Sequence, residues 1–187
     1  MSLEQILLEK REMIQGRWLS AVLETYPEDA RRFFRKQKDQ FANPVGHTFS
    51  KELERLLVGL LERRNSEDLV PVLDRIIRVR AIQDFSPSQS LAFLFALKPI
   101  IRETAEKEIR EEALAGELEA LEAHIDEAVL WAVDVYVGCR EKLYEMRANQ
   151  FKNQVSGLLR RAGLISEVPS WDSRSTDQER NHPVNST

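Results

Sequence analysis

Three histidines, one cysteine, a cluster of arginines and many carboxylates are the residues here whose types could do chemistry, and their spacing decides which chemistry is open to them. A di-iron helical site needs Glu-x-x-His pairs projecting from facing helices. His124 has Leu121 where that motif needs a glutamate, and no second pair exists. A haem in an all-helical fold needs an axial histidine, and none stands between His47 and His124. His47 follows Asn43-Pro44-Val45-Gly46 and reads as a loop hydrogen bonder, while His182 falls near the end of the chain. No metal and no cofactor is expected. Cys139 lies in an apolar helical run, which favours a buried, protonated thiol over a nucleophile. No Gly-x-Ser-x-Gly elbow and no phosphate-cradling glycine loop occurs. Glu108, Glu111, Glu112, Glu117, Glu119 and Glu122 are interleaved with Lys and Arg, as on solvated helix faces. The chain is therefore expected not to be an enzyme, with no catalytic residue to name.

Two binding features remain. Arg75, Arg78, Arg80 and Arg102 could gather near a helix start at Ser86, whose free N–H groups attract anions. Asp74, Asp84 and Glu103 are near enough in sequence to neutralise several of them, and that pairing is the expectation. Phe93, Phe95 and Trp131 at helical spacing are core residues or the lining of a small apolar ligand pocket. A ligand or cofactor carrier built on that pocket is the alternative to a purely regulatory role.

The elements that position these residues are helices. A composition 42% hydrophobic and 31% charged, with only 7 Gly and 7 Pro in 187 residues, favours an all-α fold with one core. Ile6, Leu7, Met13, Ile14, Trp18, Val22 and Leu23 predict one amphipathic first helix, ended by Pro27. A shorter helix from Glu28 to about Lys38 carries Phe33 and Phe34, and Phe41 to His47 reads as a loop. A helix from about Phe49 to Arg64 follows, then Asn65-Ser66 as break and cap. The next helix reaches about Asp84. Pro71 would remove a hydrogen bond if it lay deep inside, so a start near Leu69 is expected.

Ser86-Pro87-Ser88-Gln89 is the sharpest local signal: a serine cap, a proline at the first helical position, and a glutamine placed to reach back to the cap. The helix it opens carries Leu91, Phe93, Leu94, Phe95, Leu97, Ile100 and Ile101, apolar nearly all round, and should be central. Pro99 predicts a bend before a charged segment from Arg102 to about Glu112, and Gly116 a break. The last helix, from about Glu117 to Arg161, is apolar on two faces, and Gly163 stops it. One face must cover the Phe93 helix. The other, read as Val129, Ala132, Tyr136, Cys139 and Leu143, is expected to form a homodimer interface, because water would otherwise meet a large apolar patch. Residues 1–162 are expected to form the helical domain and residues 163–187 a flexible tail.

A net charge of −4 gives no general attraction to nucleic acid or anionic membranes, so neither partner is expected. The longest apolar run in the carboxy-terminal half, Ala128 to Cys139, is far short of the roughly 20 residues that span a bilayer, so no membrane insertion is expected. A start without signal-peptide features and a single cysteine imply a cytoplasmic protein.

The run Arg78 to Lys98, with Arg17-Trp18, Tyr26-Pro27 and Phe41-Ala42-Asn43-Pro44-Val45-Gly46 in order before it, resembles the amino-terminal domain of the RsbT co-antagonist RsbRD family over about Met1 to Tyr144. The resemblance implies a globin-like sensor domain that has lost haem, dimerises through its last helices and signals into an attached STAS domain or histidine kinase. Too little sequence follows Arg161 for either. The expectation is a stand-alone regulatory domain of bacterial stress signal transduction, a homodimer whose output protein is a separate chain. Arg80, Gln83, Asp84, Ser86, Pro87 and Gln89 form its candidate signalling turn.

Overall fold

The computed structural model describes residues 1–26, 28, 31, 44–83 and 85–164. Seven helices stand among them: α1 (Leu3–Glu9), α2 (Arg11–Glu24), α3 (Pro44–Leu61), α4 (Ser66–Ile82), α5 (Pro87–Thr104), α6 (Glu106–Glu111) and α7 (Ala115–Arg161). The fold is all-α with a long carboxy-terminal helix, as the composition and spacing predict. The expected helix from Glu28 to Lys38 with Phe33 and Phe34, residues 41–43 of the expected loop, the side chain of His47, Asp84, and the tail from residue 165 with His182 lie outside the described residues, Glu28 and Arg31 apart. The chain divides into two units, Met1–Leu143 and Tyr144–Thr187.

In the first unit the expected single helix before Pro27 is two. Ser2 caps α1, its Oγ accepting from the Gln5 N–H at 3.3 Å while the Gln5 side chain accepts from the Ser2 N–H at 3.2 Å. Lys10 then leaves helical geometry, and its Nζ reaches the Thr104 carbonyl at 3.0 Å and Glu108 at 2.5 Å. Leu3, Ile6 and Leu7 of α1 and Ile14, Trp18 and Val22 of α2 are all buried, whereas Met13 is exposed. Helix α2 packs on α3 and α5, α3 on α4, and α4 on α5. Gly59 leaves room for α4 against α3: a Cβ there would stand 2.5 Å from Leu69 Cδ2.

Prolines fall inside helices where their missing bonds do little harm. Helix α3 begins at Pro44, so residues 44–47 of the expected loop are helical; a proline in the first turn has no N–H to satisfy. Asn65 caps α4 by accepting from the Asp68 N–H at 3.2 Å, which starts the helix at Ser66 rather than near Leu69. Pro71 frees the Glu67 carbonyl, and both residues are exposed, so the missing bond falls on the solvent side of the helix. The same holds for Pro99 and Phe95 in α5, which runs on to Thr104; the break before the charged segment falls at Ala105.

The break before α7 is at Ala113, not Gly116, which lies in the first turn of α7. Ala113 has φ 55°, and the Leu114 N–H bonds back to the Ile109 carbonyl at 3.1 Å, closing α6 in the left-handed C-terminal motif that glycine usually supplies. Ala113→Gly should therefore stabilise the chain by about 0.5–1 kcal/mol, the relief of left-handed strain exceeding the added freedom of the unfolded chain. Thermal unfolding checks this, and a lower melting temperature would contradict it. In the second unit the helix ends as its sequence predicts, with Gly163 at φ 69° and the Leu164 N–H bonded to the Leu159 carbonyl at 3.0 Å.

Candidate functional site

The turn from α4 to α5 is built by its own residues. Ser86 is extended, its Oγ accepts from the Gln89 N–H at 3.3 Å, and the Gln89 side chain accepts from the Ser86 N–H at 3.0 Å, with Pro87 in the first helical position. This is the expected capping box. Ser86→Ala should cost about 1 kcal/mol in urea unfolding. A loss below about 0.5 kcal/mol, the range of an ordinary surface change, would contradict the cap. Gln83 ends α4, its N–H bonded to the Arg80 carbonyl at 3.2 Å.

Beneath this turn Arg80 is fully buried. It lies on the apolar stripe of α4, following Leu69, Leu73 and Ile76. Its Nη2 donates to Thr25 Oγ1 at 2.9 Å and to the Gln89 carbonyl at 2.8 Å, tying the end of α2 to the start of α5. Aromatic rings surround the guanidinium: Phe85 with its centroid at 4.6 Å, Tyr26 at 5.4 Å and Phe93 at 6.0 Å. Among the described residues no hydrogen bond of good geometry reaches its Nε and Nη1 and no carboxylate pairs with it, although the Tyr26 hydroxyl lies near enough to favour its charged form. Burial lowers the guanidinium below its ordinary value, with Tyr26 acting the other way, and the same burial raises the Tyr26 phenol. Arginine's ordinary value is so high that Arg80 stays charged.

The other arginines of the expected cluster are neutralised. Arg78 pairs with Asp74 at 2.6 Å, as expected. Arg75 instead meets the buried Glu52 at 2.8 Å, which Arg55 also contacts at 2.9 Å, and Arg102 grips Glu122 at 2.5 Å while Glu103 pairs with Arg17. Among the described residues Arg80 is thus the member of the cluster left without a carboxylate partner. Cys139 is buried 3.9 Å from Asp74, and burial first, then that carboxylate, pushes its thiol up, away from the reactive thiolate. No group of residues able to hold a metal ion occurs among the described residues.

The expected aromatic pocket is not assembled. Phe93 is buried against Trp18, ring centroids 5.9 Å apart, and the Trp18 Nε1–H donates to the Phe93 carbonyl at 2.6 Å. Phe95, two residues on, points away and is 52% exposed, as a helical period demands. Trp131 is half-buried against His124, at 5.8 Å.

Helix α7 corrects the expected dimer stripe. Val129, Ala132, Tyr136 and Cys139 are buried within the first unit, and Leu143 is half-buried. The Tyr136 hydroxyl donates to the Phe85 carbonyl at 2.9 Å and Arg140 Nη1 to the Ala81 carbonyl at 3.3 Å, so this stripe faces the Arg80 turn. The chain itself covers it. The opposite stripe is open: Leu130, Val133 and Val137 are 66%, 40% and 47% exposed.

Tyr26, Thr25 and Phe85, which complete the Arg80 cage, were not legible as site residues; the one signal was an arginine in phase with the apolar positions of α4. Among the described residues no helix is long and apolar enough to cross a membrane. No curated protein and no solved structure matches the chain. A family model does, over residues 13–151, a span that takes in Trp18, the Arg80 cage, the capped turn and both stripes of α7. The chain belongs to the RsbT co-antagonist protein rsbRD N-terminal domain family.

Proposed function

We propose that this chain is a non-catalytic, globin-like regulatory domain of bacterial stress signalling, working in the cytoplasm as a homodimer and passing a small signal or a partner's binding to an output protein. Family membership supplies the regulatory setting. The observation that carries the assembly is the outward stripe of α7. In the first unit Leu130 and Val137, seven residues apart, are exposed together with Val133, and in the second unit Tyr144, Phe151 and Leu158, also exposed, recur at the same seven-residue interval. A seven-residue repeat is the period of helices that pair along a seam. A second copy offers the same stripe, and a two-fold axis sets it against itself.

The absence of catalysis in this reading is supported by how the polar groups are spent. Glu52, Glu108 and Glu122 are engaged with basic side chains, and the one thiol is held protonated. Sedimentation of the purified chain tests the proposal: a dimer is expected, and a monomer at tens of micromolar would overturn it.

A further inference from the structure

Arg80 carries a buried charge that nothing among the described residues neutralises. Such a cation is costly to hold unless an opposite charge joins it. The rings of Phe85, Tyr26 and Phe93 attract it through their quadrupoles but cancel no charge. Its unfilled groups are donors: the N–H bonds of Nε and Nη1. Ser90, also fully buried, has an unpartnered hydroxyl, and its amide shares a peptide link with the Gln89 carbonyl that Arg80 Nη2 reaches. The amino end of α5, an 18-residue helix, adds positive potential at the same place. Buried donors with no acceptor, beside a helix start, describe a place for an anion.

We propose that Arg80, Ser90 and the amino end of α5 bind a small oxyanion, the carboxylate or phosphate group of a low-molecular-weight metabolite; as the signal input of the domain, this rests on the regulatory reading above. Entry is short. Both acceptors of Nη2 belong to residues with exposed surface, Thr25 and Gln89, so the residues over the guanidinium border solvent. The cover limits the guest to a small group, and among the described residues no carboxylate pairs with Arg80 to compete with it. Binding is felt by α7, because Phe85, whose ring lies over Arg80, is held through its carbonyl by Tyr136.

The test is thermal unfolding of the full chain with sodium phosphate and sodium acetate as separate probes, against sodium chloride at matched ionic strength. At least one probe should raise the melting temperature above the chloride reference in the parent and in Arg78→Met, and the rise should vanish in Arg80→Met. A response to phosphate alone assigns the site to phosphorylated metabolites, and a response to acetate alone to carboxylates. No rise with either probe, or an equal rise in Arg80→Met, overturns the proposal. Should Arg80→Met fail to fold, the Arg80 Nε–H resonance of the parent decides: it moves on titration with the effective probe or the proposal falls. Sedimentation of the parent does not depend on these outcomes, so failure here and failure of the dimer are read separately.

Discussion

Trp18→Ala is expected to lower the unfolding free energy by about 3–5 kcal/mol, the range for removing a large aromatic side chain from a packed core. Trp18 is wholly buried, stacks on Phe93 and donates its indole N–H to the Phe93 carbonyl at 2.6 Å, so it joins α2 to the central helix by packing and by a polar contact. Trp18→Phe separates the two contributions. It keeps most of the ring and loses a hydrogen bond worth about 1 kcal/mol net, with a smaller packing loss from the lesser ring. Urea unfolding followed by far-ultraviolet circular dichroism measures both. A loss below about 1 kcal/mol for Trp18→Ala would contradict the packing described, because it would match an exposed side chain.

The second large effect separates the two stripes of α7. Leu130→Glu with Val137→Glu places charges on the open stripe, where the isolated chain already meets water, and should yield a folded monomer. Ala132→Glu places one charge on the covered stripe, at a position with no exposure at all. An unpaired buried charge costs about 3–5 kcal/mol, and a domain holds only about 5–15 kcal/mol in total, so this variant should be largely unfolded or melt far below the parent. Sedimentation with circular dichroism reads both. A folded Ala132→Glu chain, or unfolding of the double variant, would mean that the stripes are assigned the wrong way round.

What the sequence made legible was local. Ser86, Pro87 and Gln89 lie within four residues of one another, and their cap depends on nothing distant, so it could be read without the fold. Gly163 is the same kind of signal. The break at Lys10 was not legible, since its Nζ is engaged by Thr104 and Glu108, almost a hundred residues away. Pro71 misled because the rule against interior prolines counts the missing bond and not whether the residue of the freed carbonyl is exposed, whereas Pro99 lies inside its helix as expected. Ala113 takes a conformation that composition assigns to glycine, which drew the expected break to Gly116.

The site shows the same division. Periodicity revealed that α7 has two apolar faces but not which one the chain covers, because Val129, Ala132 and Tyr136 keep the same helical spacing as Leu130, Val133 and Val137. Tertiary contacts alone separate them. Arg80 was grouped with neighbouring arginines by sequence distance, whereas the fold neutralises Arg75, Arg78 and Arg102 through Glu52, Asp74 and Glu122 and buries Arg80 among rings. Its position in phase with Leu69, Leu73 and Ile76 was the clue, and a charge at an apolar phase outweighs proximity to other charges.

The most direct test of the central claim is covalent capture across the seam. In a Cys139→Ala background, Leu130→Cys and Val137→Cys place single thiols on the open stripe of α7, while Lys142→Cys places one on an exposed position off it. A disulfide needs Cα atoms within about 7 Å, which the two copies of a seam residue meet where the stripes run parallel or lie beside the two-fold axis, and which off-seam residues do not. Mild oxidation should convert at least one of the two seam variants to a covalent dimer and leave Lys142→Cys a single chain. No covalent dimer from either seam variant, or equal yields on and off the seam, would contradict the account.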